Sequence, residues 1–203
     1  MHIEPVTLEG RAVRLEPLSL EHLDGLCAVG LDAEIWRWST EPIETREEMR
    51  RYVETALAWR AAGSALPFAT IDRASGAVVG STRFAAIDVA HRRAEIGWTW
   101  IARTHWRSAV NTEAKYLMLR HAFEAWRCVR VELKTDALNE RSRTAIRRLG
   151  AVEEGTLRAH MIAKSGRLRD SVYFSILEPE WPTVRAGLEA KMAGHVAAGG
   201  GRR

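Results

Sequence analysis

Cysteine is almost missing from this chain. Cys27 and Cys128 are the only two in 203 residues, both sit in apolar-patterned segments, and their spacing is not that of metal ligands. Two buried free thiols in a reducing cytoplasm is the expectation. Long apolar runs are missing too: none approaches the roughly 20 residues a membrane-spanning helix needs. The first residues, Met1-His2-Ile3-Glu4-Pro5, lack a basic region followed by an apolar core, so no secretory signal is expected. There is no block of five consecutive Lys or Arg and no internal repeat. The formal net charge is +4, but the arginines are interspersed with acids, the pattern of a solvated surface. Such a balance is compatible with a phosphate-rich ligand, nucleic acid or an acidic membrane, and selects none of them. Membrane association is not expected.

What is present is a soluble globular composition, 46% hydrophobic and 28% charged, long enough for one well-cored domain. Residues 1–192 are expected to form that domain. Residues 193–203, rich in Gly and Ala, are expected to be a disordered tail. Alternation predicts a strand over Gly10–Leu18, ended by Pro17, and Ser19 caps a helix. An aromatic-rich loop with Trp36 and Trp38 follows, where exposed rings can line a pocket or plug the core. Thr45 opens a second helix. Strands over Leu66–Asp72, Ala77–Ile87 and Ala94–Ile101 make a meander, with Gly80 marking a bulge or a close approach.

The stretch from Ala94 to Trp126 is the centre of the pattern. A β-prone segment with Ile96, Trp98, Trp100 and Ile101 leads into a short basic loop carrying Arg103, His105 and Arg107. A helix with an apolar face of Ala114, Leu117, Met118 and Ala122 follows, with Asn111 as its expected N-cap. A strand, a basic loop and a helix start present unpaired backbone N–H groups and a positive dipole end to a phosphate. Glu113 competes for that dipole unless it turns out to solvent. A strand from Val129, a helix opened by Asn139 and stopped by Gly150, two strands and a last helix starting at Trp181-Pro182 complete the chain.

Five segments, taken together and in this order, give the chain a family likeness. They are Glu95-Ile96-Gly97-Trp98-Thr99-Trp100, Asn111-Thr112-Glu113-Ala114-Lys115, Leu138-Asn139-Glu140-Arg141-Ser142, Arg148-Leu149-Gly150-Ala151 and Glu154-Gly155-Thr156-Leu157-Arg158. With them the chain resembles the GNAT superfamily of acetyl-CoA-dependent N-acetyltransferases, and more closely its ribosomal-protein N-terminal acetyltransferase type, over roughly residues 8–178. The resemblance implies an α+β fold in α/β/α layers, with a mixed, mostly antiparallel sheet of about seven strands and splayed central strands. It implies acetyl-CoA as cofactor, CoA as product, and a primary amine as acceptor, either a small molecule or a protein N-terminus.

The resemblance also distributes roles. Trp100, Ile101 and Ala102 end the strand along which the pantetheine arm would lie, and an amide near Trp100 or Ile101 would stabilise the oxyanion. The pyrophosphate loop falls on Trp106, Arg107, Ser108, Ala109, Val110 and Asn111, with Thr112 next. The family pattern Arg/Gln-x-x-Gly-x-Gly/Ala is not kept: Trp106 takes the first place and no glycine is present. Backbone N–H groups are what the chemistry needs, and Ala109 supplies one if it stays helical. A left-handed turn there would cost about 1–2 kcal/mol. Asn139 is expected to contact the cofactor and Ser142 to lie near its sulfur. Glu95 is the candidate base, with pairing to Arg92 or Arg93 as the competing reading. Trp36, Trp38, Trp98 and His160 are candidate acceptor contacts, and Tyr173 a loose match to a proton donor. No metal site is expected. Two other classes remain open: a CoA-binding protein without transfer activity, and an RNA- or ribosome-binding module using Arg141, Arg143, Arg147 and Arg148. The apolar stripe of the last helix and the eight tryptophans leave a homodimer open.

Overall fold

The computed structural model describes the backbone of residues 1–199 and the side chains through Gly194. Eight strands form one sheet: β1 (Leu8–Glu9), β2 (Val13–Pro17), β3 (Leu66–Asp72), β4 (Val78–Asp88), β5 (Arg93–Ile101), β6 (Arg130–Asp136), β7 (Val152–Ile162) and β8 (Leu168–Leu177). Their spatial order is β1-β2-β3-β4-β5-β6-β8-β7, and every pairing is antiparallel except β5 with β6. The expected seven strands are all present; the eighth is the two-residue β1. The helices are α1 (Leu23–Gly30), α2 (Ala33–Trp36), α3 (Arg46–Ala61), α4 (Ala109–Arg120), α5 (Glu140–Leu149) and α6 (Trp181–Gly199).

Local chemistry explains most of these boundaries. Thr45 and Glu48 close a reciprocal capping box at the start of α3. Gly150 ends α5 at φ 102°, a left-handed value that suits glycine. A Cβ at Gly80 would collide with the Trp100 carbonyl, so glycine is required where β4 and β5 approach. Two apolar clusters cover the sheet. The larger joins α4, α5 and α6 to one face, through Phe84, Ile96, Leu117, Leu133 and Phe174. The smaller joins α1 and α3 to the other face, through Leu26, Met49, Val53, Ile71 and Trp100.

Several expectations change. Ser108, not Asn111, caps α4: its side chain accepts from the Val110 N–H, and the helix begins at Ala109. Both residues are good caps three positions apart, and the earlier one wins because the chain is already turning there. Glu113 does not face solvent. It is buried and accepts the backbone N–H groups of Arg11, Ala12 and Val13 at 2.8, 2.6 and 2.9 Å, tying α4 to the β1–β2 turn. The last helix continues through Ala193 to Gly199, where a disordered tail was expected; residues 200–203 lie outside the described residues. The α6 stripe is used inside the chain: Trp181, Val184 and Leu188 are buried, and Trp181 stacks on Phe123. Of the two thiols, Cys128 is buried and Cys27 only half-buried.

Candidate active site

The central parallel pair is short. β5 and β6 pair at Arg93, Ala94 and Glu95 with Arg130, Val131 and Glu132, and then part. Beyond that point β5 continues to Ile101 and β6 to Asp136 without further pairing, leaving a V-shaped gap. β5 is held on its other side by β4, except at a bulge. Trp98 and Thr99 both stand opposite Thr82, between the Arg83–Gly97 and Ser81–Trp100 pairs. Trp98 adopts φ 49°, a left-handed value costing an L-residue about 1 kcal/mol or more. Past the bulge the Ala102 N–H bonds the Val79 carbonyl. Amides alternate along a strand, so the Trp100 N–H also turns towards β4. Those of Ile101 and Thr99 turn to the gap. Of the two amides considered from sequence, alternation turns that of Ile101 to the gap and that of Trp100 to β4.

The loop before α4 stands at the mouth of the gap. Its left-handed residue is Arg107, φ 64°, not Ala109. Ala109 is the first residue of the helix, so its place asks for no glycine. Val110 N–H is held by the Ser108 hydroxyl, while the N–H groups of Ala109 and Asn111 have no carbonyl partner inside the helix. The Oδ1 of Asn111 is buried without a partner. These free donors, with the helix dipole and Arg107, fit a diphosphate. Trp106 does a different job. Its Nε1–H donates to the Ile101 carbonyl at 2.8 Å, and the Arg141 guanidinium lies 3.4 Å from the centre of its ring. Partial burial lowers the Arg141 pKa. This stack brings the start of α5 to the loop before α4. Asn139 there caps α5 through the Ser142 N–H at 3.0 Å, so Asn139 and Ser142 flank the cleft from the β6 side.

The face of the sheet shared by α3 carries the acidic and aromatic candidates. Glu95 is 4% exposed and accepts from Lys134 at 2.9 Å. Its partner is thus neither Arg92 nor Arg93; Arg93 reaches Asp88 and Glu132 instead. Gly97 makes room for this carboxylate, since a Cβ there would stand 2.6 Å from Oε1. Lys134 lies 5.6 Å from the Trp98 ring and 5.7 Å from the Tyr173 ring. His160 packs edge-on to Tyr173 and bonds Ser171 at 3.0 Å. Trp98, Glu95, Tyr173 and His160 therefore share one face over β5 to β7. Trp38 is half-buried under Arg167, where the β7–β8 hairpin meets the α2–α3 loop through Lys164 N–H and the Thr40 carbonyl. Trp36 is not part of any opening. It is 7% exposed, packs on Trp100 and Tyr52, and donates its N–H to the Gly30 carbonyl.

Sequence reasoning missed three residues at this site. Lys115 on α4 is buried and donates to Thr82 Oγ1 at 3.2 Å and to Thr99 Oγ1, directly under the bulge. Burial pulls its pKa down to about 7. Arg83 on β4 is 1% exposed among aromatic rings on the opposite face. Lys134 holds Glu95. The signal in hand was the cation at an inward position of a predicted strand or helix. Of the four arginines considered for RNA, two are engaged within the fold: Arg143 with Glu140 and the Ala137 carbonyl, Arg147 with Glu153. No group of three metal-ligating side chains occurs among the described residues, and no helix there is long and apolar enough to cross a membrane.

A sheet that parts at its centre, with a helix N-terminus aimed at the opening and a buried carboxylate beside it, defines a transferase that works on an extended, phosphate-bearing donor. The profile of the acetyltransferase (GNAT) domain matches residues 12–152. The chain belongs to this family of acetyl-CoA-using acyltransferases. It is 30% identical over 176 residues to "Uncharacterized N-acetyltransferase p20" of Bacillus licheniformis, covering 86% of this chain and 98% of that protein. It is 34% identical over 106 residues to "Putative ribosomal N-acetyltransferase YdaF" of Bacillus subtilis, covering 52% of this chain and 57% of that protein. A GCN5-related N-acetyltransferase from Brucella melitensis superposes with a TM-score of 0.87 at 35% identity, over 94% of this chain and 86% of that one. The mixed, mostly antiparallel fold expected from sequence is the fold observed.

Proposed function

We propose that the protein transfers an acetyl group from acetyl-CoA directly to a primary amine, without a covalent enzyme intermediate. The observation that carries this is the parting of β5 and β6 after Glu95, with free amides on the gap side. Bound acetyl-CoA supplies an activated thioester. The N–H groups of Ala109 and Asn111 hold its diphosphate, and Arg107 adds a charge-assisted contact. The Ile101 and Thr99 amides face the gap, where they stabilise negative charge on the acetyl carbonyl oxygen. Glu95 accepts the proton of the acceptor amine, directly or through water, and Lys134 keeps that carboxylate in place. Ser142 stands on the other bank, able to return a proton to the leaving sulfur. Trp98, Trp38 and His160 border the acceptor. That acceptor is a small-molecule amine or a protein N-terminus; the ribosomal name of one relative supports the second choice. The reaction is assigned to the cytoplasm.

The test is calorimetry with acetyl-CoA, followed by thiol release over a panel of amines and peptides. We expect binding, and release that depends on the amine. Binding without release for any amine points instead to a CoA-binding protein that has lost transfer. Salt-sensitive RNA binding without CoA binding points to the RNA module. Arg107→Glu should weaken acetyl-CoA binding about tenfold, the loss of one charge-assisted contact. Unchanged affinity would remove Arg107 from the phosphate site.

A further inference from the structure

Arg83 is among the largest fully buried side chains, at 1% exposure, yet no acid among the described residues is paired with it. Its Cζ lies 4.7 Å from the Tyr52 ring, 5.2 Å from the Trp98 ring and 5.4 Å from the Trp59 ring. Ring faces attract the cation but take no in-plane N–H bond. Nε and Nη2 accordingly have no hydrogen-bond partner among the described residues. The other groups at hand are committed. The Tyr52 hydroxyl serves Ser81 and the Trp98 carbonyl. Glu95, the carboxylate on the same face of β5, is bonded to Lys134. An unpaired guanidinium in a dry site is destabilising, and an apolar residue would fill the same space at lower cost.

The two orphaned nitrogens are not an arbitrary pair. Nε and Nη2 form one edge of the guanidinium, the side-on fork whose two parallel N–H groups match the two oxygens of a carboxylate. The position matters as much. Arg83 stands opposite Gly97, and Glu95 is two residues along β5 on the same face. Diagonal neighbours of this kind have Cβ atoms about 7 Å apart. Three aromatic side chains, Tyr52, Trp59 and Trp98, surround the guanidinium. Of these, Trp98 is 40% exposed and sits on the bulge, so it is the ring whose movement would give an acceptor access to Arg83.

We infer that Arg83 anchors a carboxylate carried by the acceptor itself. The inference rests on the acetyl-transfer reading above and narrows it to a class: amines whose own carboxylate lies within a few bonds of the nitrogen, as in a free amino acid. The amine then meets Glu95 while the carboxylate meets the Arg83 fork.

The test uses N-acetyl amino acids, the products of such a reaction, and their primary amides as matched probes. Each pair is titrated into the CoA-loaded protein by calorimetry, with inorganic phosphate as a third probe. The acids should bind at least tenfold tighter than the amides, the effect of one charged bidentate contact. Arg83→Met should abolish that preference, and Arg83→Lys should keep part of it, while both variants bind CoA as the parent does. Equal binding of acids and amides, no binding of any acid, or a preference that survives in Arg83→Met overturns the inference and leaves Arg83 as a strut between α3 and the sheet. Phosphate competing as strongly as the acids overturns the carboxylate assignment. The underlying reading fails separately, as absence of CoA binding in the unmodified protein or of thiol release with any amine.

Discussion

The bulge in β5 has a buried cation on each side, and the two are treated differently. Lys115, under the α4 face, has hydroxyl partners on both strands: Thr82 on β4 and Thr99 on β5. Thr82 and Thr99 bond each other at 2.7 Å. Arg83, on the α3 face, has three aromatic rings and two nitrogens with nothing to bond. Lys115 closes a network within the fold, and its burial lowers its pKa, so it need not carry charge there. Arginine has no such escape, because its guanidinium keeps its proton. A satisfied lysine therefore reads as a support for the strand, and an unsatisfied arginine as a place kept for something else.

The difference sets what each substitution should do. The largest effect belongs on the Arg83 face, where Glu95 works. Glu95→Gln should lower kcat by about a hundredfold or more, the usual loss when a general base is removed, with acetyl-CoA affinity retained. An unchanged kcat would take Glu95 out of the proton transfer and weaken the case for that face as the acceptor side. A smaller effect is expected opposite it. Lys115→Met removes the bond that fixes Thr99, not the Thr99 amide itself. It should lower kcat about tenfold, well short of a deleted oxyanion donor, with little change in either KM. Equal losses in kcat and acetyl-CoA binding would make Lys115 a general packing residue and erase the contrast.

The smallest effect is one of stability. The Lys115 pKa falls from about 10.4 in an unfolded chain to about 7 in the fold. Between those values the unfolded chain binds the proton and the native one does not. Native stability therefore rises with pH from about 7 towards 10, and the cost of burying the charge is felt in full below 7. His121, also lowered by burial, adds a rise of the same sign at lower pH. Thermal melts at pH 6 and pH 9, compared between the parent and Lys115→Met, isolate the lysine. The variant should gain more at pH 6 than at pH 9, and an equal gain at both would show that the ammonium is not buried as a charge.

The fold was largely readable because its signals are local. Alternation marks β6, Thr45 and Glu48 mark α3, Gly150 marks the end of α5 and Pro182 the first turn of α6. The site was readable where it follows the chain, as in the loop from Trp106 to Asn111. It was hidden where partners come from distant strands. Ser81-Thr82-Arg83 is a polar run within a strand and suggests exposure, but β4 is central and covered on both faces, so all three are buried. Glu113 was read against the dipole of its own helix, while its actual partners are amides about a hundred positions earlier. Glu95 was matched with adjacent arginines, and its partner arrives from β6. Trp36 and Trp38 gave no hint from spacing that one is core and the other half-buried.

The extra residue at Trp98–Thr99 also changes the parity of β5. Ile96 faces the α4 cluster and Trp100 the α1–α3 cluster, although they are four positions apart and would point the same way in an unbroken strand. The bulge absorbs that offset against β4, so deleting Thr99 would restore a regular ladder and leave Trp100 and Ile101 on their present faces. Gradual change by substitution can reshape either wall of this cleft, whereas an inserted residue with no bulge to absorb it would turn the rest of β5 over.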